Sequence, residues 1–195
     1  MMRLIFIQIF FSLLISLMCF SAQASTAYFP LSCLSDTLER NAFPTPKDIK
    51  NLLFYIQRDP NTNTVCYTLN VDEKGYVNSP SPVNAFWIRY PEGGQHKSLN
   101  FIQRTFAYGI EVKTKSSDQY ELRSVAYDKM ALYLRKDKQG DYHIYTQINH
   151  KECILHRIFI RIDGGSMWSP NVLYIELSGT DTTTGKDSIE RIKIS

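Results

Sequence analysis

Apolar and polar residues alternate with a two-residue period along most of the chain after residue 51, which is the pattern of half-buried β-strands. The runs LLFYIQR and TVCYTLNV flank loop-forming residues 59–63 and predict a first hairpin. The run VNAFWIRY, from Val83 to Tyr90, predicts a third strand. Two more hairpins are predicted, one in MALYLRKDKQGDYHIYTQIN and one formed by NVLYIELSG with SIERIKI.

The run ECILHRIFIRID has the most regular alternation. It places five residues on one face, which we predict to be the inward face: Ile154, His156, Ile158, Ile160 and Ile162. Arg157, Arg161 and Asp163 fall on the opposite face. On this pattern His156 is expected to be a hydrogen-bonded histidine of the core.

Residues 98–108 interrupt the alternation. Leu99, Ile102 and Phe106 have the i, i+3, i+7 spacing of a helix that packs one face on a core. Ser98 is a candidate cap for the start of this helix, and Gly109 is a candidate end. The prediction is therefore one helix near residues 98–108, inserted after the third strand.

These elements predict a mainly β domain with one inserted helix over residues 52–195. Hairpins dominate and no alternation of strand and helix is present, so we expect an antiparallel barrel or a two-sheet sandwich built from hairpins.

The first 24 residues have the parts of a secretory signal peptide: Arg3, an apolar run, and Ala22-Gln23-Ala24. We predict cleavage after Ala24 and a secreted or periplasmic location, with no transmembrane helix in the mature chain. An uncleaved membrane anchor is one alternative. A lipoprotein modified at Cys19 is another, although the bulky Met18 disfavours it.

Residues 25–51 are predicted to be an N-terminal arm that lies over the domain, because the prolines of Phe43-Pro44-Thr45-Pro46 favour an extended chain. The chain has 22 basic and 19 acidic residues, and Arg3 is the one charged residue of the signal, so the mature chain has a net charge of +2. This balance gives no reason to expect nucleic acid or an anionic membrane as a partner.

Three cysteines remain after the signal: Cys33, Cys66 and Cys153. In an oxidising compartment any two of them can pair, which allows three different disulfides. The alternative is that all three are small buried apolar side chains.

The stretch from Ala85 to Ile110 concentrates aromatic and cationic side chains around a Gly-Gly turn. Five of its residues are candidates for a site that binds a small anionic or sugar-like ligand, or an envelope protein: Trp87, Arg89, Tyr90, Arg104 and Tyr108. Rings stack on apolar faces, and guanidinium groups hold carboxylate or phosphate. The alternative is structural packing, in which Arg104 lies over an aromatic ring.

Two other classes of function remain open. One is a hydrolytic or redox enzyme that uses Cys153 or the pair His150 and His156. The other is a structural module of a cell-envelope assembly, with an exposed apolar patch or sheet edge. His150, Glu152 and His156 would share a strand face, but their spacing matches no usual metal motif, so no catalytic residue, metal or cofactor is predicted.

The W-I-R-Y run at residues 87–90 and F-I-Q-R-T-F-A-Y-G-I at residues 101–110, with IFIRIDGG and ELSGTDTTTGK, resemble a domain-of-unknown-function family of small secreted bacterial β proteins. The resemblance extends from about Leu52 to Ile194. It implies no activity, ligand or catalytic residue. It does imply that six residues belong to a family pattern: Trp87, Arg89, Gln103, Arg104, Tyr108 and Gly109.

Overall fold

Strands make up most of the part of the chain that the structure, a computed structural model, describes, which is residues 43–166 and 169–194. The strands are β1 Leu52–Arg58, β2 Asn61–Leu69, β3 Val83–Arg89, β4 Gln95–Ser98, β5 Ile110–Ser116, β6 Gln119–Ser124, β7 Tyr127–Lys136, β8 Tyr142–Ile148, β9 Lys151–Gly165, β10 Pro170–Asp181 and β11 Asp187–Lys193. The predicted signal peptide, Cys33 and the arm before Phe43 lie outside the described residues.

All of these strands belong to one sheet, which confirms the mainly β fold. Nine strands follow the order β4-β3-β2-β1-β9-β8-β7-β6-β5, and they curl into a half-barrel. β10 pairs with β9, and β11 pairs with β10. The architecture is thus a single curled sheet, between the closed barrel and the two-sheet sandwich that the pattern allowed.

The long strand β9 joins the two halves of the sheet. Near its start it pairs with β8, and residues 157–160 pair with β1. β10 runs antiparallel to β9 over most of its length. A strand has only two edges, so β8 and β1 share one edge of β9, end to end. The β1–β9 pair is parallel, which corrects the expectation of a purely antiparallel sheet.

The predicted hairpins are present, with two differences. β1 turns into β2 at Asp59-Pro60, so Asn61 already belongs to a strand and the loop is shorter than predicted. Strands β4, β5 and β6 were not predicted. β5 and β6 form another hairpin, whose β6 inserts Tyr120 and Leu122 into the core.

The main core lies on the concave side of the curled sheet, between its two halves. One half contributes Phe54, Val65 and Tyr67, and the other contributes Tyr120 and Leu134 among others. Two aromatic rings stack inside this core: those of Phe54 and Tyr67 are parallel, with centroids 4.4 Å apart. Packed side chains therefore fill the concave side of the half-barrel.

A β-bulge divides β9, so that the predicted inward face is correct for Ile158 and Ile160 and wrong for Ile154 and His156. Leu155 pairs with Gly179 and Arg157 pairs with Ser178, so His156 is an extra residue with no partner of its own on β10. The bulge switches which face points inward. Cys153 and Leu155 face the core before it, and Ile158 faces the core after it. His156 is exposed, and its Nε2 lies 2.8 Å from Oγ1 of Thr180, so the predicted core histidine is wrong.

The helix begins and ends within the predicted range but is shorter. Helix α1, Phe101–Gln103, continues as a π-helical turn, Arg104–Tyr108, and is followed by Gly109. Asn100, rather than Ser98, caps it through a capping box with Gln103. We call this element the 101–108 helix.

The predicted core face of the 101–108 helix is also wrong. Leu99 is buried, but it precedes the helix. Ile102 and Phe106 are exposed, at 50% and 65% of their surface. Tyr108, which is not part of that spacing, is buried in the core. The π-helical turn changes the angular spacing of side chains, so the periodicity of a regular helix does not apply here.

Candidate functional site

The centre of the candidate site is Tyr108, which joins the 101–108 helix to the sheet. Its ring meets the Trp87 ring edge-on, with centroids 4.9 Å apart. Its carbonyl accepts a hydrogen bond of 2.9 Å from the Tyr67 hydroxyl. The Arg58 guanidinium lies over the Tyr108 ring, 5.9 Å from its centroid. Sequence reasoning missed Tyr67 and Arg58 as parts of this cluster.

Three hydrogen bonds fix the start of the helix against β3. The Gln103 side-chain oxygen accepts from Trp87 Nε1 at 3.2 Å and from the Asn100 backbone at 3.0 Å. The Asn100 side chain accepts from the Gln103 backbone at 2.8 Å. Gln103 therefore connects the cap of the helix to the tryptophan of the sheet.

Arg104 is exposed and is held at its base by the chain that precedes the helix. Its Nε donates to the Leu99 carbonyl at 3.1 Å. Among residues 43–166 and 169–194, neither of its two terminal amino groups has a hydrogen-bond or ion-pair partner. The predicted packing of this guanidinium over an aromatic ring is not present among those residues. The two terminal amino groups of Arg104 are therefore held in place and available to donate hydrogen bonds to a ligand.

A cleft of about 370 Å³ opens beside Arg104, between the β3 half of the sheet and strand β5. We call it the aromatic cleft; its lining comprises Tyr67, Pro80, Ser81, Val83, Ala85, Leu99, Arg104, Tyr108, Gly109, Ile110, Val112 and Val125. Ten of these twelve are apolar or aromatic residues or glycine, and Arg104 is the only charged one. Small-molecule sites have this character: mostly apolar walls with a few polar groups that orient the ligand.

The tyrosines at the base of the cleft are neutral at physiological pH. Burial raises the pKa of Tyr67 well above its ordinary value. Burial also raises the pKa of Tyr108, and the nearby Arg58 opposes that shift. These phenols therefore supply apolar surface and hydrogen-bonding dipoles, while the charge of the cleft comes from Arg104.

The structure brings together three of the five predicted site residues: Trp87, Arg104 and Tyr108. Arg89 forms an ion pair with Glu92 in the turn after β3. Tyr90 belongs to the short 3-10 helix Tyr90–Glu92, where burial raises its pKa with smaller contributions from Cys66 and Tyr55. These two residues therefore do not join Arg104 at the cleft.

A second group of charged residues lies on the face of the sheet opposite the core, which we call the outer face. Arg161 donates to Asp59 at 2.8 Å, and Arg191 donates to the almost fully buried Glu176 at 2.8 Å. These ion pairs were not predicted as a group. Their partners are about fifteen or a hundred residues apart in the sequence, and the alternation of each strand indicates only which face it uses.

The chain before β1 covers part of the outer face. The Phe43 ring meets the Phe159 ring edge-on at 5.2 Å. The Gln57 side chain donates to the Pro44 carbonyl at 2.8 Å and to the Thr64 hydroxyl at 2.9 Å. The buried amide of Gln57 is thereby satisfied by the extended Phe43–Pro44 segment.

The three residues of the enzyme alternative, Cys153, His150 and His156, lie in different surroundings. Cys153 is fully buried in the core, and burial raises the pKa of its thiol, which disfavours a nucleophilic thiolate. His150 lies in the β8–β9 turn with φ of 61°, while His156 is on the bulge. Cys66 and Cys153 are both free thiols. Within residues 43–166 and 169–194, no group of three His, Cys, Asp or Glu side chains is arranged to hold a metal.

A wider cavity of about 660 Å³ lies elsewhere, lined largely by loop residues around Asp72 and Asp118. Two of its charged residues, Asp118 and Lys136, are paired with each other. Asp118 accepts from the Tyr142 hydroxyl at 2.5 Å and pairs with Lys136 at 3.0 Å. We assign the candidate site to the smaller aromatic cleft, because the predicted residues Arg104 and Tyr108 line it and Trp87 packs on Tyr108.

No helix in the described part of the chain has the length and apolar character needed to span a bilayer. No curated protein and no solved structure shows significant similarity to the chain. A family model matches residues 54–191, well over half of the chain, and its description is Domain of unknown function (DUF4833). The match begins within β1 and ends within β11, and it includes Trp87, Arg104 and Tyr108. The chain therefore belongs to the DUF4833 family.

Proposed function

We propose that this domain is a non-enzymatic binding protein, and that the aromatic cleft takes a small ligand with an apolar body and an anionic group. The observation that carries the proposal is the position of Arg104, an exposed cation at a cleft lined mainly by aliphatic and aromatic residues. Its Nε bond to Leu99 orients the guanidinium and leaves the terminal amino groups for the ligand. A guanidinium held in this way suits a carboxylate, sulfonate or phosphate.

The test uses two probes of the same shape, a naphthalene sulfonate and uncharged naphthalene. We expect the sulfonate to bind more tightly. Arg104→Gln should weaken sulfonate binding between about tenfold and a hundredfold, because hydrogen bonds to charged groups contribute about 1.5–3 kcal/mol. Naphthalene binding should not change. Titration calorimetry measures both, and near-UV circular dichroism verifies that the fold is intact.

Two control variants separate the cleft from the rest of the surface. Arg89→Gln removes an arginine that is already paired with Glu92, so it should leave sulfonate binding unchanged. The double variant Phe101→Ser/Phe106→Ser removes exposed apolar surface outside the cleft and should also leave it unchanged. The proposal is wrong if neither probe binds, or if Arg89→Gln weakens binding as much as Arg104→Gln does. A sugar that binds in place of the sulfonate would leave the cleft as the site but contradict the anionic ligand.

We further propose that the protein acts outside the cytoplasm, after removal of residues 1–24. The support is the sequence of the signal, with its apolar run and its Ala22-Gln23-Ala24 exit. Expression of the full chain in a bacterial host, followed by fractionation and denaturing mass spectrometry, tests this. We expect periplasmic or secreted protein that begins at Ser25. An unprocessed chain in the membrane fraction would instead support the anchor alternative, and added lipid on Cys19 would support the lipoprotein.

A further inference from the structure

The 101–108 helix exposes an unusual amount of apolar surface. Phe101, Ile102 and Phe106 are exposed at 77%, 50% and 65%. In the described part of the chain, eight large apolar or aromatic residues are exposed at 37% or more, and three of them lie within these six positions. All three side chains belong to one short element, of which only Tyr108 is buried. We call these three residues the helix patch.

Packing of the helix does not require these side chains. The helix is held from its other side by buried Tyr108 and by the bond between Gln103 and Trp87. Its start is capped by Asn100. Two phenylalanines and an isoleucine therefore face solvent although the contacts that fix the helix lie elsewhere. Contiguous exposed apolar surface of this kind is typical of an interaction site.

The charged residues of the segment that contains the helix patch have one sign, and the nearest acidic residues in the sequence are Glu92, which pairs with Arg89, and Glu111. Between Gly93 and Ile110 the sequence contains Lys97 and Arg104 and no acidic residue. Lys97 lies on the exposed edge strand β4, and Arg104 is exposed on the helix itself. Exposed rings flanked by cations match a surface that is apolar inside and anionic at its boundary. The net charge of the whole chain conceals this local excess.

We propose that the helix patch docks the domain on the surface of an anionic lipid bilayer. The rings of Phe101 and Phe106, with Ile102, enter the boundary between head groups and acyl chains, and Lys97 and Arg104 contact lipid phosphates. The helix is far too short to span the bilayer, so docking is peripheral. Arg104 also lines the aromatic cleft, and docking places the cleft next to the membrane surface.

Vesicle co-sedimentation tests the docking. Full-length protein recovered from the host is mixed with vesicles of phosphatidylcholine, with or without phosphatidylglycerol. We expect binding to the anionic vesicles. Phe101→Ser/Phe106→Ser should lower the partition coefficient by about tenfold for each ring removed. Lys97→Gln should lower it by about fivefold on anionic vesicles only, and added salt should weaken binding through the same screening.

Matched controls change residues of the same type away from the patch. Tyr76→Ser removes a ring that is 71% exposed, and Lys138→Gln removes an exposed lysine of the β7–β8 loop. Neither should alter vesicle binding. Because all variants share the same N-terminal segment, any binding through it is common to all and cancels in the comparison.

Three outcomes would overturn the proposal. The first is no binding to anionic vesicles. The second is equal loss in Tyr76→Ser and in the double variant. The third is self-association, seen by sedimentation velocity, that disappears in the double variant while vesicles are not bound; a second copy of the chain would then be the occupant of the patch. The dye titration of the aromatic cleft is independent of all three outcomes.

Discussion

At the scale of single residues, the site depends on a few side chains with unusual surroundings. Tyr67 is fully buried and still uses its hydroxyl, because the Tyr108 carbonyl lies within hydrogen-bonding distance. Alternation places Tyr67 on the same strand face as Val65, but its hydrogen-bond partner is 41 residues away. Trp87, Arg104 and Tyr108 were predicted as site residues because rings and guanidinium groups have recognisable chemistry. Whether they meet is decided by the fold.

Removal of the Tyr67 hydroxyl should destabilise the protein. Tyr67→Phe leaves the Tyr108 carbonyl without its buried donor, which costs about 1–3 kcal/mol in the free energy of unfolding. Urea denaturation measures this difference. Tyr76→Phe is the control, because its ring is largely exposed, and it should change stability by less than about 0.5 kcal/mol. Equal stability of Tyr67→Phe and wild type would contradict the role of this bond.

The carboxylate of Asp181 should make stability depend on acidic pH. It accepts from the backbone of Thr183 at 2.8 Å and of Thr184 at 3.1 Å, and these bonds lower its pKa. A lowered folded-state pKa gives stability that is present above the unfolded value of about 3.9 and lost as pH falls through the folded value. Asp181→Asn should be less stable than wild type at neutral pH.

Thermal unfolding between neutral pH and the acid limit checks this sign. The gap between wild type and Asp181→Asn should narrow as pH falls below about 4. Asp141→Asn changes an exposed aspartate in another loop and should follow the wild-type curve. A gap that widens toward acid would contradict the assignment.

At the scale of elements, alternation predicted most of the hairpins correctly, but it did not predict the local irregularities within strands and the helix. The hairpins β1–β2 and β7–β8 follow from alternation and turn residues. The β9 bulge changes which face points inward partway along the strand, so periodicity predicted the wrong face for His156. The regular helix is only three residues long before it becomes a π-helical turn, so the helical spacing of Ile102 and Phe106 did not place them in the core. Such irregularities depend on the residues of the neighbouring strand. Gly179 lies opposite the bulge, and an added Cβ there would lie 2.4 Å from the Ile154 carbonyl oxygen.

The end of the 101–108 helix should not tolerate a larger residue than glycine. A Cβ on Gly109 would lie 1.9 Å from the Arg104 carbonyl oxygen. The backbone conformation of Gly109 is ordinary for any residue, so the cost of Gly109→Ala arises from this contact. We expect a loss of about 1–3 kcal/mol in the free energy of unfolding and weaker sulfonate binding, because Arg104 must move.

Chemical denaturation and the dye titration together measure both effects. Thr105→Ala shortens an exposed side chain in the same turn and serves as the control. It should alter stability by no more than about 0.5 kcal/mol and leave dye binding intact. If Gly109→Ala behaves like this control, the close approach to Arg104 does not shape the site.

At the scale of the whole molecule, a single sheet is packed on both faces. Its concave side holds the apolar core, and its outer face holds ion pairs and is covered in part by the Phe43–Pro44 segment. Arg191 on β11 lies directly opposite Glu176 on β10, and their ion pair joins the two strands. Glu176 is only 1% exposed. Buried charges of this kind require their partners, because an unpaired carboxylate in this environment is costly.

Arg191→Met should therefore destabilise the fold, on the order of 2 kcal/mol, by removing a donor from the buried Glu176. Lys193→Met, an exposed residue on the same strand, is the control and should have little effect. Guanidinium denaturation gives both values. Equal stability of the two variants would show that Glu176 depends on its other contacts rather than on Arg191.

The sequence by itself determined the class of fold, most of the hairpins and the residues whose chemistry suits a site, because alternation, turn residues and ring or guanidinium groups are local properties. Only the tertiary structure decided that β9 pairs in parallel with β1 within the curled sheet. It also decided that Arg89 and Tyr90 lie away from the cleft, whereas Tyr67 and Arg58 contact Tyr108. It also decided that Phe101, Ile102 and Phe106 face solvent. The physical reason is that these outcomes depend on register, bulges and contacts between residues far apart in the chain, which no local pattern specifies.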